Sequence, residues 1–191
     1  MFEEYNKVQE AILETTLKLL REKDLQATSM ALISKESGIS TGSIYYYFKS
    51  KEDIINELYR GISKFTKKEM YKGFYTKESI QERFWKFWEQ AIRFNIDHYN
   101  AIQFLEQYSF SPYIGEEIKN DANHGLCEPL ANLYSEAIEQ KVFIELEPTI
   151  MVLMHYGSTV HLAKAHHANS TNLTDDIIQM IIQSCWNSVS A

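Results

Sequence analysis

The side chains best equipped for chemistry sit in one short stretch. Thr41, Gly42 and Ser43 are small and polar where a buried helix would carry large apolar groups. Their hydroxyls can donate to or accept from any base edge, the threonine methyl can touch a thymine methyl, and a glycine removes a steric obstacle to close approach. Tyr45, Tyr46 and Tyr47 follow. Three such phenols cannot all face a core, so some hydroxyls are available to phosphate oxygens. Lys51 comes just after a serine able to cap the next helix. A cation there opposes the helix dipole by roughly a few tenths of a kcal/mol, unless an anion shares the site. Ser29, at the start of an earlier helix, offers a second such end. Together these groups describe a surface for a nucleic-acid duplex.

These residues need elements to position them, and helical signals run almost throughout the chain. Seven glycines and three prolines in 191 residues leave little turn material for an all-β fold. Val8, Ile12, Thr16 and Leu20, with Leu13 and Leu17 beside them, repeat at the spacing of a buried stripe and predict a helix from about Phe2 to Lys23. Ser29 is a good N-cap for a helix through Met30, Ile33 and Ser34, which Gly38 ends because glycine takes the left-handed conformation without strain. Ser40 or Thr41 starts a further short helix through Ile44. Ser50, with Asp53 three residues on, reads like a capping box heading a fourth helix over about 51–72. Two short helices joined by a glycine-containing turn make a helix-turn-helix, whose second helix enters the major groove.

The run Ile12 to Leu20, Thr28 to Met30, Ile33-Ser34, Gly38 to Phe48 and Lys49 to Glu52 resembles, in order and spacing, the DNA-binding signature of the tetracycline-repressor (TetR/AcrR) family. It departs at Asp24, where the family usually has glycine, and at Ser34 and Ser37, where it usually has alanines. The resemblance implies that Thr41, Gly42 and Ser43 face bases, that Ser29, Tyr45, Tyr46 and Lys51 approach phosphates, and that Tyr47 adds a contact found in some members. Ile33, Ile44 and Phe48 match the small domain's core. It further implies an all-α protein, with an N-terminal three-helix helix-turn-helix DNA-binding domain at 1–52 and a C-terminal helical ligand-binding and dimerisation domain at 53–191, helix 4 connecting them. The implied function is a ligand-responsive transcriptional regulator, a repressor released from a palindromic double-stranded operator by a small molecule. A constitutive architectural or interaction protein without an inducer is the alternative.

Charge distribution agrees with a localised DNA contact. Net charge is −7, with 12 Lys/Arg against 11 Asp/Glu up to residue 75 and 7 against 15 beyond it. Bulk attraction to nucleic acid is therefore excluded. With few cations in the head, two half-sites must be summed, which calls for a homodimer.

The second part is rich in aromatic residues at helical spacing. Phe84, Trp88, Phe104 and Tyr108, with His155 interspersed, are the candidate lining for an apolar or aromatic effector. Simple packing is the competing role for each. A helix from about Gly115 to Gln140 contains Pro129, which either kinks it or begins a new helix. Pro148 to His167 and a last helix capped by Thr174 are the expected dimer surface. In these, Gly157 and His161 on the first helix and Ile178, Ile182 and Trp186 on the second are the candidate residues.

Other classes find no support. The first thirty residues hold Glu3, Glu4, Glu10, Glu14 and Glu22, and the uncharged run Thr149 to Ala163 is shorter than a bilayer span, so a cytoplasmic protein is expected. Cys127 and Cys185 lack CxxC spacing, and His161, His166 and His167 have no clustered cysteines or carboxylates, so neither metal nor cofactor is expected. Without a phosphate-cradling glycine loop, an HExxH or a nucleophile elbow, catalysis is not expected either.

Overall fold

A computed structural model describes residues 1–23, 25–74 and 78–191. Asp24, the departure noted above, lies outside the described residues. Among the described residues there are nine helices: α1 (Lys7–Glu22), α2 (Met30–Ser37), α3 (Thr41–Tyr47), α4 (Lys51–Met70), α5 (Ile80–Asp97), α6 (Tyr99–Ser109), α7 (Glu116–Glu139), α8 (Pro148–His167) and α9 (Asp175–Val189). The all-α expectation holds. The chain divides into two compact units, one of residues 1–65 with 103–122, the other of 66–102 with 123–191. Residues 103–122, most of α6 and the start of α7, pack with the first unit, which extends beyond residue 52.

In the first unit, α1 begins at Lys7 rather than near Phe2. The Asn6 side chain accepts the N–H groups of Val8 and Gln9, and the Gln9 side chain returns to the Asn6 N–H, a capping box that fixes the start. Phe2 is buried instead by tertiary packing, and a Cβ on Gly61 would lie 2.9 Å from its ring. Val8 is exposed, while Ile12, Leu13, Thr16, Leu19 and Leu20 form the buried face of α1. α2 starts where Ser29 accepts the Leu32 N–H at 3.2 Å and ends at Gly38, whose φ of 70° is left-handed. The Ser34 hydroxyl then donates to the Ile39 carbonyl at 2.6 Å, closing the turn before α3.

The same unit contains the α6–α7 connection, held from α4 by the Asn56 amide and from the segment before α2 by Gln26. Asn56 Nδ2 donates to the carbonyls of Tyr113 at 3.0 Å and Glu52 at 2.7 Å, while its Oδ1 accepts the Gly115 N–H at 2.9 Å. Gln26 donates to the Tyr113 hydroxyl at 3.2 Å. Phe104 stacks on Tyr108 at 4.6 Å and lies 6.5 Å from Tyr59.

In the second unit, α5 packs against α8 and α9. Ser79 and Glu82 cap it reciprocally, and Phe84, Phe87, Trp88, Ala91 and Ile92 supply its buried face. α7 runs unbroken through Pro129. The proline ring removes one N–H, and the helix-ladder acceptor at i−4 belongs to Gly125. Tyr134, further along α7, is buried with Phe84, Trp88 and Phe143.

Candidate nucleic-acid interface

α3 is one-sided. Ile44 and, just beyond the helix, Phe48 are buried beside Ile33 of α2 in the core, whereas Thr41, Gly42, Ser43, Tyr45 and Tyr46 are exposed. Ser40 supplies the cap: its hydroxyl oxygen accepts the Ser43 N–H at 3.2 Å and lies 2.9 Å from the Ser43 hydroxyl. That contact orients Ser43 without burying it. Tyr46 is 81% exposed and meets Tyr47 edge-on at 4.9 Å between ring centres, with Tyr47 half-buried.

Gly42 is the informative residue. Its φ is not positive, and a Cβ built there would meet nothing within 4 Å. Neither backbone conformation nor internal packing requires a glycine, although glycine within a helix costs about 0.5–1 kcal/mol relative to alanine. The space it leaves is open to a body approaching from outside.

The residues expected to approach phosphates are placed as follows. Ser29 is exposed and uses its oxygen as a cap acceptor, leaving the hydroxyl proton to donate outward. At the head of α4, however, the N–H groups are not an open anion site. The Ser50 hydroxyl accepts the Asp53 N–H at 3.1 Å, and Asp53 Oδ2 accepts the Lys49 N–H at 3.0 Å. Hydrogen bonds from its own N–H and from the Ser50 hydroxyl hold the Glu52 carboxyl below its ordinary range, so the turn already carries anions. Lys51 Nζ donates to the Leu25 carbonyl at 2.7 Å, which ties α4 to the segment before α2 and leaves two ammonium protons for a phosphate. Of the two starts that the sequence offers for α3, Ser40 is the cap, and the Leu25 carbonyl is a positioning group that sequence spacing does not single out.

A surface of small hydroxyls, an unforced glycine and exposed phenols on a capped helix can read base edges and hold phosphates. Comparison with known proteins agrees. The model of bacterial regulatory proteins of the tetR family matches residues 12–58, and that of the tetracyclin repressor-like C-terminal domain matches residues 79–190. The chain belongs to the TetR family. An uncharacterized HTH-type transcriptional regulator of Haemophilus influenzae is 23% identical to this TetR-family chain over 181 residues, 94% of each. A putative tetR family transcription regulator from Shewanella sp. PV-4 superposes with a TM-score of 0.84 at 20% identity, covering 97% of this chain and 100% of that one. A TetR family regulator from Marinobacter aquaeolei VT8 gives 0.86 at 19% identity, covering 96% and 95%.

The other candidate residues of this TetR-family regulator are distributed differently from the sequence expectation. Phe84, Trp88 and His155 come together in the second unit, with ring centres 5.5–6.2 Å apart, whereas Phe104 and Tyr108 belong to the first. His155 is not free to orient a ligand: Nδ1 lies 2.6 Å from the Tyr134 hydroxyl and Nε2 3.0 Å from the Ser188 hydroxyl. Burial pulls its pKa down to about 4. Ile178 and Ile182, expected at a dimer surface, are buried in their own unit, and Trp186 is half-buried 5.2 Å from Phe84. Gly157 and His161 are exposed on α8, and a Cβ at 157 would meet nothing within 4 Å. The exposed apolar side chains nearby in sequence are Ile150, Leu153 and Met154 on α8 and Ile177 and Met180 on α9. An apolar groove of about 580 Å³, lined in part by Met154, Ser158, Ile177 and Met180, lies along this face.

Proposed function

We propose that this regulator is a homodimeric repressor that presents α3 of each copy to successive major grooves of a palindromic operator and is released by a small apolar or aromatic effector held in its second unit. The observation that carries the reading is Gly42, a costly glycine in an exposed helix for which nothing inside the chain gives a reason. Thr41 and Ser43 beside it contact bases, while Ser29, Tyr45, Tyr46, Tyr47 and Lys51 hold the backbone.

The α8–α9 face is the surface for the second copy. Leu153 and the strongly exposed Met154 (62%) and Met180 (68%) leave a contiguous apolar stretch beside a glycine that admits a close helix approach. Pairing there also meets the need of a weakly cationic head for two half-sites. The effector acts by population shift: it binds better to the form in which the two α3 helices are wrongly spaced, and a coupling of about 1–3 kcal/mol weakens operator binding roughly 5- to 150-fold.

Selection of random duplexes by the purified protein tests the reading. The expected product is a two-fold symmetric site with half-site centres about 34–36 Å apart, or a multiple of that, bound more weakly as salt rises. Enrichment of no sequence at low salt would overturn it.

A further inference from the structure

Asn95 is the polar residue on the buried face of α5, in line with Phe84, Trp88 and Ala91. It is 0% exposed, and neither its Nδ2 nor its Oδ1 has a hydrogen-bond partner. Trp88 Nε1 donates to the Tyr134 hydroxyl at 3.0 Å, Tyr134 meets His155, and the Thr159 hydroxyl donates to the Tyr156 carbonyl at 2.9 Å. Glu78 Oε2 and Arg83 Nε also lack a partner, but each belongs to a side chain that another atom ties into an ion pair, with Lys86 and Glu136 respectively, whereas both polar atoms of Asn95 are left over. A buried amide with both ends unpaired carries the desolvation penalty of each, and leucine of similar size would avoid it. Such a group calls for a partner, and a bound ligand is one that can supply both a donor and an acceptor.

We infer that Asn95 is the polar anchor of the effector site, and that the effector presents a neutral head with a donor beside an acceptor, as in a carboxamide, a lactam or an undissociated carboxylic acid, on an apolar body. This rests on the proposal that the second unit takes a small molecule. The chemistry of the amide selects the head. An ester or ketone only accepts and leaves Oδ1 orphaned, and an ammonium group only donates, leaves Nδ2 orphaned and brings a charge into the core. A carboxylate sets a negative charge against Oδ1 inside an apolar, aromatic-rich core, where desolvating an ion is costly.

The test uses the full chain and three probes of one shape: benzamide, acetophenone and α-methylstyrene, titrated by calorimetry and by thermal shift. Benzamide is expected to bind roughly tenfold more tightly than the other two, and in Asn95→Leu the three are expected to agree within about twofold. Asn95→Ala is the second variant, for the case in which leucine does not fit, and it too should lose the preference. Equal binding of all three probes to the unmodified chain, as would follow if a trapped water served the amide, overturns the anchor while leaving an effector site in place. A benzamide preference that survives both substitutions does the same. Binding of none of the three overturns the anchor together with the effector reading beneath it.

Discussion

The Tyr134 hydroxyl, 2.6 Å from Nδ1 of His155, already accepts the Trp88 indole N–H at 3.0 Å, so its own proton goes to the histidine. That fixes the tautomer: Nδ1 accepts, and Nε2 carries the proton it donates to Ser188, whose hydroxyl in turn donates to the Cys185 carbonyl at 2.7 Å. One directional chain thus joins α5, α7, α8 and α9 with every donor used. A second proton on His155 would turn Nδ1 into a donor facing a donor, and burial opposes the charge as well.

Stability should therefore depend on acid. The folded chain holds the His155 pKa down at about 4, against an ordinary value of 6.5, so the unfolded chain binds the extra proton first. This contribution is complete above about pH 6.5 and is lost progressively as pH falls toward and through about 4, by roughly 3 kcal/mol in all. Denaturant titrations at pH 7.5, 6, 5 and 4.5 measure it, and His155→Gln should flatten the slope in that window.

Gly42 offers a test in which stability and binding move in opposite directions. Gly42→Ala should stabilise the free chain by about 0.5–1 kcal/mol, because the new methyl group meets nothing and the unfolded chain loses freedom. The same methyl group should obstruct the groove and weaken operator binding. Thermal unfolding and fluorescence anisotropy on one preparation report both, and unchanged operator affinity would remove the reason given for this glycine.

The two classes of contact on α3 should separate by sequence dependence. Ser43→Ala should cost about 1–3 kcal/mol on the selected site and little on sites altered at the base pair it reads. Tyr46→Phe should weaken binding on all sequences alike, since a phosphate contact carries no base information. Binding profiles over a library of single-base variants distinguish the two patterns.

Disruption of the α8–α9 face should act on DNA binding at a distance. A charge placed at Met154 or Met180 disturbs no core, since both are strongly exposed. Met154→Asp or Met180→Asp should therefore leave the melting profile of the monomer intact, shift the mass measured by light scattering from dimer to monomer, and lower operator affinity by at least roughly tenfold through loss of the second half-site. A variant that stays dimeric would move the pairing surface elsewhere.

The head was legible because its determinants are local. Ser29 and Gly38 act within a few residues of themselves, and Ser40, one of two starts the spacing allowed, does the same at α3. The start of α1 was misplaced because Phe2 is apolar for the sake of Gly61, far along the chain. On α9, apolar residues cover more than one face, so periodicity cannot say that Ile178 and Ile182 turn inward while Ile177 and Met180 turn out. From its position Lys51 faces an open helix end, but Asp53 and Ser50 fill that end, and the lysine bonds a carbonyl 26 residues earlier. Composition groups Phe104 and Tyr108 with Phe84, and does not reveal that the chain has rejoined the first unit at residue 103.

That return of the chain matters to anyone moving heads between relatives. A gene fragment ended after α4 would encode Asn56 without Tyr113 and Gly115, and Tyr59 without Phe104. Chimeras that graft a foreign reading head onto this sensor need two cassettes, the second spanning 103–122, or they will graft an incomplete fold.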